Sequence, residues 1–535
     1  MTAAFLFTLL LAAAAPAQAR PPIVFDEAVL LRHRLAGESS LAAPASALAP
    51  VSSVEVSVTI SPHGDVVAAE ADRKRNFEGA DLAPALAAAR LWKFQPFRYR
   101  GEPVAARGTV TITYRTPPRW RDPAAPLPPI DHSNLRIGLT RSACFGSCPD
   151  YSVTIDGSGA VSFTTRSPAL KGSAEAHRQF GPDGGVLLPG EHRARIDRPA
   201  LDALIERFRA ARFFGLEPEY RAPVTDLPTY VLKFETGGRS WTVTDYGGSL
   251  AGMPPVVTEL EQAVDEAAGT ARWVTGDERS IAVLKEQGFD FRSQKAAELA
   301  AYLAMTGQGT DGLVIGLIEA GLSPDHPMVF DSGDTPTPLG ESLLVGALGR
   351  HRPALFAWLA ERGWLKRVPR ELLSQSFAES GGGCDPAIAR AVVAAGADPR
   401  ARARGGDPAG TTALIAAVRP DGLCRGVSLK PVVEALVALG VDVNAANDSG
   451  ETVLYGVEDP ELQEQLLAAG ARADVLDKKG NSPVFSSWND RIVLGLLDAG
   501  ASPKGRYFDG KTLREQALER DMPSVRAWLD AHRIK

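Results

Sequence analysis

The chain has 535 residues, of which 44% are hydrophobic and 23% are charged, so its composition is that of an ordinary globular protein. A chain of this length is expected to fold into about three domains. The formal net charge of -6 argues against a nucleic-acid partner, because such a partner needs a basic face on the protein.

Residues 1–19 have the pattern of a secretory signal peptide. An apolar run from Ala3 to Ala15 is followed by the small-x-small motif Ala17-Gln18-Ala19, although no Lys or Arg precedes the run. The alternative is an uncleaved anchor, but the run is shorter than the roughly 20 residues that span a bilayer. We therefore predict cleavage near Ala19, a periplasmic or secreted location, and no membrane span after cleavage.

Two segments are predicted to be connecting chain. Residues 20–50 form a lead-in, in which IVFDEAVLLRHRL favours one helical stretch and ESSLAAPASALAP has the Ala, Ser and Pro content of a linker. Residues 117–133 are rich in proline, which favours a semi-rigid and extended linker.

Residues 51–116 are predicted to form a small α+β domain of order ββαβ. The segment SVEVSVTI alternates strictly between apolar and polar residues, which is typical of a half-buried strand. A turn at Pro62–Asp65 leads into VVAAEA as the hairpin partner. The segment LAPALAAARLWKF favours a helix, and residues 104–114 favour a last strand.

This domain resembles the C-terminal domain of TonB-type energy transducers. The family's hairpin, helix and W-x-F-x-P motifs correspond here to Val56–Val66, Ala85–Ala88 and Trp92–Pro96. The resemblance implies the fold and pairing of an edge strand with a partner. A transducer also has a membrane helix and a long Pro-rich spacer before this domain, and neither precedes it here, so we do not expect force transmission. For Trp92, Phe94 and Phe97 we expect core packing.

Residues 134–268 are predicted to form a second α+β domain. Two strands flank a tight cysteine loop, and Asp156–Gly159 between alternating runs predicts a hairpin. A second hairpin is expected across Gly237-Gly238. Helices are expected over Leu201–Ala211 and Pro255–Ala267.

The second domain resembles a family of unknown function that carries the motif C-F-G-x-C-P-x-Y-x-V-x-I-x-G-x-G. Every position of the motif is present in this chain, and the family supplies no activity to transfer. The matching residues are Cys144, Phe145, Gly146, Cys148, Pro149, Tyr151, Val153, Ile155, Gly157 and Gly159.

The chain has four cysteines, an even number, and export would place them in an oxidising compartment. We expect Cys144 and Cys148 to form a structural disulfide. A redox pair or a soft-metal site remains open, because a C-x-x-x-C-P motif also occurs in copper-handling thioredoxin-like proteins. Those proteins place the motif between a strand and a helix, whereas strands are expected on both sides here. Cys384 and Cys424 are candidates for a second disulfide.

Residues 278–535 contain a repeating pattern of an apolar run, a glycine and a polar turn. The pattern returns about every 30–44 residues, which is typical of stacked supersecondary units that cannot bury their apolar faces alone. The glycines are Gly288, Gly321, Gly363, Gly396, Gly440, Gly470 and Gly500.

These units resemble ankyrin repeats. The pattern G-x-T-x-L-x-x-A is present at Gly410–Ala417 and A-G-A-D-P at Ala395–Pro399, but the tetrapeptide T-P-L-H is absent. The resemblance implies an all-α solenoid of helix pairs and finger loops that binds other proteins. Further first helices are expected to follow Gly450, Gly480 and Gly510.

The finger loops carry the candidate partner-binding residues. The alternative for each is a solvated charge or a locally packed aromatic ring. The candidates at loop tips are Asp448, Lys478, Lys479, Arg506, Tyr507 and Phe508, and Trp488 is placed on an inner helix.

No pattern of a catalytic or metal site is found. The eight histidines show no metal-ligand spacing, and the sequence has no nucleophile elbow, phosphate loop or metalloprotease helix. We therefore expect a non-enzymatic exported envelope protein, without cofactor or metal, that binds another protein through its repeats. The alternatives are a thiol-redox or copper-handling protein that uses Cys144 and Cys148, and a partner of TonB-dependent envelope systems.

Overall fold

The computed structural model shows a multidomain protein with two sheet-containing units and a helical C-terminal region. The signal-peptide prediction for residues 1–19 lies outside the described part of the chain. The described residues are 21–25, 27–42, 53–71, 82–99, 101–145, 148–165, 185–328, 336–405, 409–419 and 422–534.

The first unit, which we call the N-terminal unit, contains the predicted ββαβ order within residues 53–115. Its main sheet has the order β1-β9-β4-β5, and β3 also pairs with β9. The elements are β1 (Ile23–Val24), α1 (Glu27–His33), β2 (Arg34–Ala36), β3 (Ser40–Ala42), β4 (Ser53–Ile60), β5 (Val66–Glu70), α2 (Leu82–Arg90), β6 (Lys93–Phe94), β7 (Arg98–Tyr99), β8 (Glu102–Pro103) and β9 (Ala106–Arg115).

Period-two alternation explains how this sheet is packed. Along β4 the four apolar residues at alternate positions, from Val54 to Ile60, are fully buried, while Ser53 and Glu55 are exposed. Trp92, Phe94 and Phe97 are also buried. The core packing expected for these three aromatic residues is therefore observed.

The segment predicted as a lead-in is not a linker where the structure describes it. Ile23 pairs with Ala106, and Ser40 pairs with Thr113, so two short strands extend the main sheet in parallel to β9. Ile23 and Phe25 are buried against the same core. Strands of two or three residues are too short to show alternation, so composition alone favoured a linker.

The second unit, which we call the middle unit, is a seven-stranded sheet of order β13-β12-β11-β10-β15-β16-β14. Every neighbouring pair is antiparallel except β14 and β16. The elements are β10 (Arg136–Arg141), β11 (Tyr151–Asp156), β12 (Ala160–Thr165), β13 (Glu191–Arg195), α3 (Arg198–Ala210), β14 (Glu219–Arg221), β15 (Tyr230–Thr236), β16 (Arg239–Tyr246), α4 (Pro255–Ala268) and α5 (Ala271–Val274).

Helical periodicity packs α3 against the middle unit. Leu201, Leu204, Ile205 and Phe208, at positions i, i+3, i+4 and i+7, are its buried residues. Both expected helices and both expected hairpins of this unit are present.

The proline-rich segment 117–133 lies on the middle unit as a strap and does not act as a free linker. Arg119 N–H donates to the Gly252 carbonyl at 2.8 Å, and Asp122 N–H donates to the Gly215 carbonyl at 2.9 Å. Farther along, Leu127 is buried in the core of the middle unit. The prolines favour an extended backbone, and the backbone amides between them then anchor the strap.

The C-terminal region consists of short helices joined by turns and loops, with one small hairpin, β17 (Pro327–Met328) and β18 (Thr337–Pro338). The helices are α6 (Ser280–Glu286), α7 (Gln294–Thr306), α8 (Asp311–Glu319), α9 (Leu339–Gly349), α10 (Pro353–Glu361), α11 (Trp364–Arg367), α12 (Arg370–Glu379), α13 (Pro386–Ala394), α14 (Ala413–Val418), α15 (Leu429–Ala438), α16 (Pro460–Ala468), α17 (Asp490–Asp498), α18 (Leu513–Glu519) and α19 (Pro523–Ala531).

Each of the seven glycines of the repeating pattern lies two residues after the end of a helix. Their φ angles are all positive, from 69° at Gly288 to 132° at Gly321. This left-handed conformation reverses the chain after the helix, and glycine adopts it without the steric cost of a Cβ. The pattern therefore marks one recurring helix end.

Two of the predicted first helices are reduced to single turns of 3₁₀ helix. Val453–Tyr455 follows Gly450, and Pro483–Ser486 follows Gly480. The next helix in each unit begins at Pro460 or Asp490, which leaves room for one turn only. The prediction of full helices after these two glycines was wrong.

The disulfide expected between Cys384 and Cys424 is present, with 5.2 Å between the Cα atoms. Both cysteines are buried. The turn before Cys384 contains three glycines with positive φ. A Cβ on the first, Gly381, would lie 2.9 Å from the Ala417 backbone of α14. Glycine thus permits the close approach that the disulfide fixes.

Within the ranges that the structure describes, no helix combines the length and apolarity needed to cross a bilayer.

Removing the buried Cys384–Cys424 disulfide should lower the free energy of unfolding more than removing the Cys144–Cys148 disulfide does. A cross-link lowers the conformational entropy of the unfolded chain and so raises its free energy. This increase is about 4 kcal/mol for a cross-link over 40 residues and about 2 kcal/mol for one over four residues. The double variant Cys384→Ala/Cys424→Ala should therefore lose helical circular dichroism at a clearly lower urea concentration than Cys144→Ala/Cys148→Ala. Equal midpoints for the two double variants would contradict this ranking.

Candidate functional site

The cysteine loop, described at residues 142–145 and 148–150, lies between β10 and β11 at one end of the middle sheet. Cys144 and Cys148 form a disulfide with 5.5 Å between their Cα atoms, as expected. The disulfide is partly exposed, and the side chain of Phe145 between the cysteines is 90% exposed. The loop therefore presents an aromatic ring and a reachable disulfide to solvent.

A cluster around Asp265 of α4 supports the base of the cysteine loop. Arg141 and Tyr151 are paired across β10 and β11 directly below the loop. The Tyr151 hydroxyl donates to Asp265 Oδ1 at 2.6 Å, and Arg141 Nη2 donates to Asp265 Oδ2 at 2.7 Å. Thr270 Oγ1 also donates to Asp265 Oδ1 at 2.7 Å. One carboxylate thus joins two strands, a helix and the turn that follows.

The finger loops of the last units repeat one backbone pattern. The N–H groups of Asn447, Asp477 and Tyr507 donate to the carbonyl four residues later, at 2.9, 2.8 and 2.9 Å. Adjacent loops are joined directly, because the Lys478 N–H donates to the Ser449 carbonyl at 2.9 Å. A Cβ at Gly450 would lie 2.8 Å from the Lys478 nitrogen, so glycine is needed for this approach. The loops that start at Asn447 and Asp477 are thus joined edge to edge, and together with the loop that starts at Tyr507 we call them the ledge.

The ledge presents four of the seven candidate residues in two adjacent loops. Lys478 and Lys479 are exposed on one loop, and Arg506 and Phe508 are exposed on the next. Asp448 is exposed on an earlier loop, where its carboxylate pairs with Arg402 at 3.0 Å.

Tyr507 is buried and does not belong to the exposed ledge. Its hydroxyl donates to the Val484 and Ser487 carbonyls, each at 3.1 Å, and its ring packs against Phe485. Tyr507 occupies the position at which Asn447 and Asp477 start their loops. Because the three positions are regularly spaced and start equivalent loops, their spacing indicates that Tyr507 faces inward.

Trp488 lies in the loop before α17 and not on an inner helix as predicted. The ring is 46% exposed and its centroid lies 6.1 Å from that of Phe508, which is 87% exposed. The guanidinium carbon of Arg520 lies 4.5 Å from the Trp488 ring centroid on its face. We call Trp488, Phe508 and Arg520 the aromatic surface. No motif in the sequence marks Arg520, which follows α18.

Basic side chains are carried by the loop of Phe508 and by the finger loop before it. Lys478, Lys479, Lys504 and Arg506 are exposed, and none of them forms an ion pair among the residues that the structure describes. The nearby Lys511, by contrast, pairs with Asp509 at 3.1 Å. These four cations are carried by a chain whose formal net charge is -6. The ledge is thus a locally basic part of an acidic protein.

Two family models match parts of the chain. The model described as "Gram-negative bacterial TonB protein C-terminal" matches residues 45–116. The model described as "Domain of unknown function (DUF6438)" matches residues 135–268. Both resemblances inferred from the motifs are therefore confirmed, the first for the N-terminal unit and the second for the middle unit. No curated protein matches the chain.

The structure gives a physical role to residues of the DUF6438 motif. The two cysteines close the loop, and Tyr151 anchors β11 to α4 through Asp265. Gly157 follows β11, where a Cβ would lie 1.9 Å from the His132 carbonyl oxygen of the strap. Through these contacts the motif residues hold the end of the sheet and the strap in place.

Among the described residues, no group of three or more His, Cys, Asp or Glu side chains is placed to hold a metal ion. The carboxylates near the cysteine loop instead surround Arg141. The side chain of Glu261 on α4 is 2% exposed, and burial raises its pKa to about 8, with a contribution from the nearby Asp245 carboxylate. Burial also raises the pKa of Asp245, although its carboxylate accepts the Gly248 N–H at 2.6 Å.

The buried Glu261 should make the stability of the middle unit depend on pH. Between about pH 4.5 and pH 8 the folded protein holds the Glu261 proton, whereas the unfolded chain has released it. The contribution of Glu261 to the free energy of unfolding is therefore full at low pH and should fall by about 1.4 kcal/mol per pH unit as pH rises through this range. Urea titrations of the wild type and Glu261→Gln across this range measure the difference.

Glu259→Gln is the matched control, because Glu259 is exposed on the same helix. It should keep the pH slope of the wild type, while Glu261→Gln should flatten it. If the Glu261→Gln variant retains the wild-type slope, Glu261 is not the group that holds the proton.

Proposed function

We propose that the protein is a non-enzymatic, exported envelope protein that binds another protein through an ankyrin-like repeat surface. The TonB-type match and the two disulfides are compatible with an envelope or periplasmic location. The signal-like pattern of residues 1–19 supports export. The mature protein would then begin near Arg20 and function outside the cytoplasm.

The ankyrin-like assignment is supported by the way each unit repeats. An outer helix ends at a glycine with positive φ, and a polar loop leads to an inner helix or turn. Neighbouring loops are joined by backbone hydrogen bonds, such as the 2.8 Å bond from the Asp448 N–H to the Ala409 carbonyl. Repeats stacked in this way expose a long row of loops for a partner to contact.

The observation that carries the proposal is the exposed pair Trp488 and Phe508. Large aromatic rings that face solvent together are uncommon on monomeric proteins and are typical centres of protein interfaces. Arg520 lies over the Trp488 ring, and Trp, Tyr and Arg are the residues most often found at such centres. Phe508 lies on a finger loop that is closed by the hydrogen bond from the Tyr507 N–H to the Lys511 carbonyl, so the backbone of this loop has little order to gain on binding.

The charges around the aromatic surface favour an acidic partner. Lys478, Lys479 and Arg506 would attract a negatively charged segment and orient it along the ledge. An apolar side chain of the same segment would then cover Phe508.

The double variant Trp488→Ala/Phe508→Ala should lose its partner while remaining folded. Removing two exposed rings takes away the centre of the interface, so we expect at least a tenfold loss of capture in crosslinking pull-downs from envelope extracts, quantified by mass spectrometry. Raising the salt concentration should also weaken capture, because it screens the basic residues of the ledge.

Leu91→Ala is the matched control, since Leu91 is 73% exposed but lies in the N-terminal unit. Capture that is equal in the double variant and in the control would refute binding through the aromatic surface. If the captured proteins belong to TonB-dependent systems under those conditions, the partner role that rests on the TonB-type domain is favoured instead.

A second candidate is a thiol-redox function of the cysteine loop. The observation that favours it is the partial exposure of the Cys144–Cys148 disulfide, in contrast to the buried Cys384–Cys424 disulfide. A dithiol reductant could reach the first and not the second.

Mild reduction separates the two candidates. If the Cys144–Cys148 disulfide is purely structural, a weak dithiol that leaves the Cys384–Cys424 disulfide intact should not reduce it. Cys144 and Cys148 should then stay unlabelled by a thiol reagent, as measured by mass spectrometry. Rapid and complete labelling of Cys144 and Cys148 alone would support the redox function and remove the support for a purely structural disulfide.

A further inference from the structure

The N-terminal unit meets the last helices of the chain along a polar contact that we call the seam. β1 lies against α17 and α19, so the two ends of the described chain are brought together. The Val24 N–H donates to Asp490 Oδ2 at 3.1 Å, although the two residues are 466 positions apart. The Ser524 hydroxyl donates to the Pro22 carbonyl at 3.4 Å beside it.

Asp490 is the centre of the seam. Its side chain is fully buried at the start of α17. Besides Val24, its carboxylate accepts the N–H of Ser524 at 3.3 Å and the N–H of Val525 at 3.0 Å, both in the first turn of α19. One carboxylate therefore satisfies free amides at the start of a helix and an outward-facing amide of a strand in another domain.

Complementary charges lie on the two sides of the seam. The helical side contributes carboxylates and the N-terminal unit contributes two arginines and a tyrosine hydroxyl. The pairs are Arg107–Asp521 at 2.7 Å, Arg32–Asp459 at 3.5 Å and Tyr99–Asp498 at 2.6 Å. Both arginine pairs are in contact with solvent, so dissolved ions can screen them.

Apolar contact across the seam is slight. The N-terminal unit has a hydrophobic core of its own, and among the described residues of the helical region Leu494 packs against it. The middle unit and the helical region, by contrast, share one continuous core. The seam therefore lacks the apolar burial that makes the other domain boundary permanent.

Two polar cavities border the seam. One, of about 600 Å³, is lined from the N-terminal unit by Glu27 and Arg107 and from the helical region by Arg520 and Asp521. The other, of about 470 Å³, lies between Arg98 and the start of α17. Water and ions that enter these cavities compete with the ion pairs of the seam.

We propose that the N-terminal unit is a releasable clamp on the acidic end face of the helical region, formed by Asp459, Asp490, Asp498 and Asp521. In the closed state it covers this face, and in the open state both units stay folded while the face becomes free. The clamp does not depend on binding at the aromatic surface.

Three neighbouring amides allow the opening to be distinguished from unfolding. The Val24 N–H points across the seam to Asp490, whereas the N–H groups of Ile23 and Phe25 donate to the Ala105 and Arg107 carbonyls of their own unit. Residue-resolved hydrogen exchange on the full chain should therefore report release as faster exchange of Val24 alone.

We expect Asp521→Arg to accelerate Val24 exchange at least tenfold, because it turns the pair with Arg107 into a repulsion and also removes the 3.3 Å pair of Asp521 with Arg526 inside the helical region. The charge-swapped variant Arg107→Asp/Asp521→Arg should bring the rate back to within about threefold of the wild type. Raising the salt concentration from about 0.05 M to about 0.5 M should accelerate Val24 exchange in the wild type as well.

Asp474→Arg is the matched control, since Asp474 forms a solvent-exposed pair with Arg472 away from the seam. It should leave Val24 exchange unchanged. The clamp is refuted if Val24 exchanges as slowly in Asp521→Arg and in high salt as in the untreated wild type. It is equally refuted if Ile23 and Phe25 accelerate together with Val24, because the unit would then be unfolding. The experiment uses no partner, so either outcome leaves the proposed binding function to its own test.

Discussion

A left-handed glycine after seven of the helices, which we call the outer helices, is the constraint on which the helical region depends; these are α6, α8, α10, α13, α15, α16 and α17. The last carbonyls of a helix have no partner within it, and a reversed residue lets the following amides return to them. A residue with a Cβ would cost about 1–2 kcal/mol in that conformation. Because the same reversal recurs at seven glycines, every outer helix delivers the chain to its loop in the same direction. The loops can then meet edge to edge and form the ledge.

Single carboxylates hold together parts of the chain that the repeats do not connect. Asp265 joins β10, β11 and the turn after α4 beneath the cysteine loop. Asp490 joins β1 to α19. Asp265 collects donors from three segments and Asp490 from two, so the loss of either carboxylate would leave several donors unpaired. The consecutive residues Arg520 and Asp521 place one member of the aromatic surface next to one member of the seam.

Much of the fold could be predicted because strong periodicity reflects a long buried face. The alternation of β4 and the spacing of apolar residues in α3 needed no information from elsewhere in the chain. The short strands β1 and β3 could not be recognised in this way. They are strands because β9 offers them unpaired backbone and a core to cover, and that is decided by the assembled sheet.

The candidate sites were predictable to a smaller degree. Four cysteines in a chain that is predicted to be exported were sufficient to suggest both disulfides. The sequence does not show that Glu261 is buried and Glu259 is exposed, because the packing of α4 on the sheet decides which of the two side chains faces the core. Trp488 and Phe508 were identified as candidates separately, and only the packing of adjacent loops shows that they meet.

The closeness of Pro22 and Ser524 has a further consequence for how weak contacts can act in this protein. Two separate molecules joined by a few hydrated ion pairs would part at ordinary protein concentrations. Here the covalent chain through the middle unit keeps both surfaces near each other, so their effective concentration does not depend on the protein concentration. A modest affinity of the N-terminal unit for the helical region is then sufficient to keep the seam closed. A modest change in that affinity is sufficient to shift the equilibrium between the closed and open states.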